Sequence, residues 1–102
     1  MAEKQSFSEL IAGNTPVLVD FYADWCGPCK MMSPVLEQLS AKAGDKFKVI
    51  KINVDHNPAA ASHFGIRGVP TFMIFKKGNS VWRKSGVLSL QELEQTLHSF
   101  AS

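Results

Sequence analysis

Hydrophobic and polar positions along the chain switch between two periods, and the switches mark out eight elements. Ser6-Phe7-Ser8-Glu9 has the form of a capping box, with Phe7, Leu10 and Ile11 apolar and Gly13 able to end the short helix it predicts. Pro16 opens Val17-Leu18-Val19-Asp20-Phe21-Tyr22, an almost continuously apolar run that suits a strand buried on both faces of a parallel sheet. Helical periodicity returns from Lys30 to Ala43 through Met31, Met32, Val35, Leu36 and Leu39. That pattern predicts a helix whose inner face holds both methionines, kinked at Pro34 and ended at Gly44. Lys46 to Val54 reads as a second strand, and Asn57-Pro58 as the cap and first-turn proline of a short helix through Phe64 that stops at Gly65. Thr71 to Phe75 and Val81-Trp82-Arg83, joined through Lys77-Gly78-Asn79, predict a β-hairpin. Ser89-x-x-Glu92 with Leu90, Leu93, Leu97 and Phe100 on one stripe predicts a last amphipathic helix.

In this order the elements make a right-handed βαβ unit followed by a hairpin and a closing helix. The expected architecture is an α/β sandwich with a central mixed sheet flanked by helices, in a single domain over residues 1–102, with no linker, repeat or low-complexity tract. At 45% hydrophobic and 20% charged residues the composition is ordinarily globular, enough for one modest core. The net charge of +2 comes from interspersed signs, which leaves no basic stripe for a phosphate backbone and argues against nucleic acid. No apolar run approaches the roughly 18 residues of a membrane span, and Met1 to Ser6 lack the apolar stretch of a signal peptide, so a cytoplasmic monomer away from membranes is expected.

Chemistry concentrates in Trp25-Cys26-Gly27-Pro28-Cys29-Lys30, between the first strand and the long helix. Two cysteines are too few for a disulfide scaffold, and a staple closing so short a loop constrains the unfolded chain by only about 2 kcal/mol. A zinc half-site needs two further ligands, and the separation of His56 from His63 lies outside the usual spacing of about three to five residues. Redox catalysis remains the strongest reading. Cys26 at a helix N-terminus meets unpaired N–H groups and the positive end of the helix dipole, which favour the nucleophilic thiolate. Gly27 keeps its approach open and Pro28 suits a first helical turn. His56, His63 and His98 fall in helical or capping contexts that point to solvent. Lys30 either assists the thiolate or is a solvated surface lysine.

These residues resemble the thioredoxin family. The hexapeptide looks like the family's active-site motif, and the similarity continues through Val19-Asp20-Phe21, Pro34, Asp55-x-Asn57, Gly65 to Thr71 and Gly86. The resemblance implies a thioredoxin fold, here with a shortened or missing first strand, because the segment before Ser6 is short and polar. It implies protein-disulfide reduction with Cys26 as nucleophile and Cys29 as resolving thiol, no cofactor beyond that disulfide, disulfide-containing client proteins, and re-reduction by an NADPH-dependent thioredoxin reductase. It further implies that Asp20 accepts the Cys29 proton through water with Lys51 as its charged neighbour, that Val69-Pro70 is cis and faces the cysteines, and that Trp25, Gly27, Pro28, Val69, Pro70 and Gly86 form the substrate surface. Taking the thioredoxin thiol value of about 7 as given, the thiolate fraction at pH 7 rises roughly sixteenfold while intrinsic nucleophilicity falls about fivefold, a net gain of only about threefold. Most of the advantage therefore lies in the nearby Cys29, which resolves the mixed disulfide intramolecularly. Two rival functions stay open: oxidation or isomerisation through the same cysteines, and a binding module that uses the surface without turnover. Trp82 reads either as an exposed edge aromatic or as a partner contact.

Overall fold

A computed structural model describes residues 6–101. Ser6 caps α1 (Phe7–Ile11), with its hydroxyl accepting from the Glu9 N–H and the Glu9 carboxylate accepting in return from the Ser6 N–H. Then follow β1 (Val17–Tyr22), α2 (Gly27–Ala43), β2 (Lys48–Asn53), α3 (Pro58–His63), β3 (Thr71–Lys76), β4 (Asn79–Ser85) and α4 (Leu90–Ser99). All eight predicted elements are present in the predicted order. The strands lie in the order β2-β1-β3-β4, with β1 parallel to β2 and antiparallel to β3. This is the mixed sheet the pattern implied. The segment before Ser6 lies outside the described residues, and among those described β2 is an edge strand.

Strand alternation divides the core in two. Leu18, Phe72 and Ile74 point to one face, where Met32, Leu36 and Leu39 of α2 and Leu93 and Leu97 of α4 cover them. Val17, Val19, Phe21, Met73 and Phe75 point to the other, under Ile11 and the half-buried Phe7 and Phe64. Asp20, in phase with Leu18, therefore faces the α2 side. Its Cα partners are Lys51 on β2 and Phe72 on β3.

The long helix begins at Gly27, as the Cys26 cap and first-turn Pro28 imply, and it contains Pro34. Several details depart from the pattern. Met31 is 66% exposed while Met32 is fully buried, so only one of the two methionines fills the inner face: consecutive helical residues project about 100° apart, and one cannot follow the other into the core. The hairpin turns on Lys77 and Gly78 alone, both with positive φ, as a two-residue turn that follows strand twist requires. Their N–H groups donate to the Gly13 and Ile11 carbonyls, which ties the turn to the end of α1. Ser89 caps α4 as expected, but the Glu92 carboxylate accepts from Lys84 Nζ at 2.7 Å. Trp82 is half-buried against the core on the α2–α4 side, where its pairing with Ile74 directs it.

Candidate active site

At the carboxyl end of β1 the chain turns tightly, with the Cys26 N–H donating to the Ala23 carbonyl at 3.2 Å. Cys26 thereby becomes the N-cap of a 17-residue helix, where first-turn N–H groups lack intrahelical partners. Its sulfur takes the place of the usual capping oxygen: the Cys29 N–H donates to Cys26 Sγ at 3.1 Å. Pro28 sits in the first turn, where no N–H is required. A Cβ on Gly27 would meet nothing within 4 Å, so nothing crowds the motif from that side. The sulfurs are joined in a disulfide with Cα atoms 5.2 Å apart, and both cysteines are buried. After reduction, a negative sulfur at position 26 keeps the helix dipole and a backbone donor aimed at it.

Facing the cysteines is the loop after α3. Val69-Pro70 is a cis peptide, and the Val69 carbonyl oxygen lies 3.6 Å from Cys26 Sγ. The hydroxyl of Thr71 donates to the Gly68 carbonyl at 2.6 Å, and the Gly86 N–H donates to the Pro70 carbonyl at 2.9 Å. Gly86 adopts φ 96°, where a side chain would be strained. On the opposite side Trp25 stands 71% exposed, its indole N–H donating to the Asp55 carboxylate at 2.8 Å. A shallow groove of about 120 Å³ runs between Trp25 and Ile66, Gly68 and Val69. Backbone edges and one aromatic wall suit an extended peptide segment.

Beneath this surface lies Asp20, 1% exposed, with no hydrogen-bond partner among the described residues for either carboxylate oxygen. Burial pushes its carboxyl up from 3.8 to about 6, and the Lys51 ammonium pulls the other way. Lys51 reaches outward, Nζ lying 4.6 Å from the Tyr22 ring centre. Tyr22, Lys51 and Cys29 share a cleft of about 240 Å³.

Residues 1–99 match the family model described as Thioredoxin. The chain is 47% identical over 94 residues to a thioredoxin from Pyropia yezoensis, covering 92% of this chain and 88% of that one. It is 48% identical over 92 residues to a thioredoxin from Alicyclobacillus acidocaldarius, covering 90% and 88%. A mutant thioredoxin from Halobacterium salinarum resembles it with a TM-score of 0.83 at 44% identity, covering 96% of this chain and 88% of that one. The chain belongs to the thioredoxin family.

It is a protein disulfide oxidoreductase of that family, its redox-active disulfide built from its own Cys26 and Cys29. Among the described residues no three His, Cys, Asp or Glu side chains gather to hold a metal ion, and no helix is long and apolar enough to cross a membrane. The thioredoxin landmarks predicted from sequence converge at one end of the sheet: Trp25, Gly27, Pro28, Val69, Pro70 and Gly86 lie around the cysteines, with Asp20 and Lys51 on the α2 side of the sheet. The histidines take other places, His98 beside Glu94 and Phe47, and His63 against Phe64. Sequence reasoning gave Asp55 no job, although it anchors Trp25. The available signal was the run of polar residues Asp55-His56-Asn57 just past the carboxyl end of a parallel strand, where sites of α/β folds cluster.

Proposed function

We propose that the chain works as a cytoplasmic disulfide reductant, acting as one domain and re-reduced by an NADPH-dependent thioredoxin reductase. The Cys26 thiolate attacks one sulfur of a client disulfide, forming a mixed disulfide and releasing one client thiolate. Asp20 takes the Cys29 proton through an intervening water. The Cys29 thiolate then attacks Cys26, forms the Cys26–Cys29 bond and frees the second client thiolate, so that two electrons pass to the client. Lys51 tunes the charge of Asp20, while Trp25, Gly27, Pro28, Val69, Pro70 and Gly86 receive the extended client segment.

The observation that carries this reading is the Cys26 sulfur at a helix N-cap, with the Cys29 N–H donating to it at 3.1 Å. That geometry favours the thiolate at position 26, the form that attacks a client disulfide. Measurement of the reduction potential of the Cys26–Cys29 couple decides the direction. The expected value is near the −270 mV known for thioredoxin, whereas a value of about −180 to −120 mV makes the chain an isomerase or oxidase.

A further inference from the structure

We propose that Asn53 is a positioning residue, fixing the Trp25 indole at the groove beside Val69 and so governing how tightly protein disulfides dock. Asn53 is the last residue of β2 and 7% exposed, and its hydrogen bonds go to the loops rather than to a sulfur. Its side chain sits at the junction of the two loops that hold Trp25. The Oδ1 atom accepts from the Asp55 N–H at 2.9 Å and the His56 N–H at 3.2 Å. The Nδ2 group donates to the Asp24 carboxylate at 3.3 Å. The Asn53 backbone carbonyl accepts from Asn57 Nδ2 at 2.9 Å, closing the turn from the other side.

One amide therefore ties the residue before Trp25 to the residue that accepts the Trp25 indole N–H. Only asparagine meets both demands at this reach. The oxygen must face two donors and the nitrogen must face a carboxylate, which also fixes the orientation of the amide. Aspartate would keep the acceptor but set a like charge against Asp24, and alanine would leave two N–H groups and a carboxylate without their partner. An exposed indole has little packing to hold it, so its direction depends on these polar links.

The inference rests on the reading of Trp25 as a docking residue, and the test separates the two. Reduction of insulin, with dithiothreitol as electron source, is compared for the parent, Asn53→Ala, Trp25→Ala and the double variant, beside reduction of the small disulfide DTNB. Asn53→Ala is expected to lower kcat/KM for insulin about fivefold, mostly through KM, with less than about twofold change toward DTNB. In the Trp25→Ala background the same change is expected to cost nothing further, and in Asn53→Ala the Trp25 indole N–H resonance is expected to move. Asn53→Asp, which keeps the Oδ1 acceptor, is expected to recover part of the loss and carries the same cycle if Asn53→Ala does not fold. Additive losses, or equal losses toward insulin and DTNB, overturn the role of Asn53 while leaving Trp25 as a docking residue. An unchanged KM in Trp25→Ala overturns the docking reading and the inference together.

Discussion

Cys26 and Asp20 are two acids at the same end of one sheet, and the fold treats them in opposite ways. Cys26 is a helix N-cap with a backbone N–H directed at its sulfur, so its negative form is favoured. Asp20 lies on β1, an interior strand beneath α2, with no donor to either oxygen among the described residues, and burial holds its proton on up to about pH 6. One environment lowers the proton affinity of a thiol and the other raises that of a carboxyl, so the two are drawn toward each other. In the proposed reaction the capped sulfur attacks, and the buried carboxylate takes a proton near neutral pH. Neither environment serves the other role: a carboxylate at the cap would be too weak a base, and a thiol in the core would seldom ionise.

The sharpest break of that contrast is removal of the sulfurs. Cys26→Ser is expected to lower insulin reduction by at least about 10³-fold, whereas Cys29→Ser keeps the attacking sulfur and accumulates a mixed disulfide visible by mass spectrometry. Trapping on Cys29 instead would reverse the assignment of the two thiols. Asp20→Asn comes next. If Asp20 is the base for Cys29, resolution of the mixed disulfide at pH 7 slows by roughly 10²-fold and the limb of the rate profile near pH 6 disappears. An unchanged profile removes its proton-transfer role. The same substitution is expected to stabilise the fold. Because the folded-state value lies above the unfolded 3.8, the native state binds the proton more tightly, and its stability is full below about pH 4 and falls as pH rises toward 6. The amide escapes that loss, so urea unfolding at pH 7 should show a gain of up to about 3 kcal/mol that vanishes at pH 3.

Both acids were legible from sequence. Asp20 announced itself as the one ionisable residue in an apolar strand, and the cysteines by spacing and by position before a helix. The order of elements was equally plain, since Gly, Pro and capping residues punctuate each change of period. What escaped was set by long-range pairing. β4 extends to Asn79–Ser85 because its backbone pairs with β3, although its mostly exposed side chains carry no alternation. The bond from Trp25 to Asp55 joins residues 30 apart, and no local pattern of either loop encodes it. Met31 and Met32 are chemically alike, and only the angular position of α2 on the sheet decides that Met32 enters the core and Met31 does not.

The smallest effect asks whether Lys51 acts on Asp20 by charge or merely packs beside it. The two are Cα partners across β1 and β2, yet the ammonium reaches outward over the Tyr22 ring. Its attraction therefore passes partly through solvent and is weakened by it. Replacing it with a chain of similar length, Lys51→Met, should raise the pH at which Asp20 ionises, because the one cationic influence opposing its burial is gone. The rate limb assigned to Asp20 should move upward with it. In urea unfolding, the variant should lose only about 0.5 kcal/mol at pH 7, where Asp20 is charged, and nothing from this source at pH 4, where Asp20 keeps its proton. The cation–π contact with Tyr22 does not depend on Asp20, so a loss of equal size at both pH values would assign Lys51 to the ring. A loss confined to pH 7 and abolished in 1 M salt would assign it to the carboxylate.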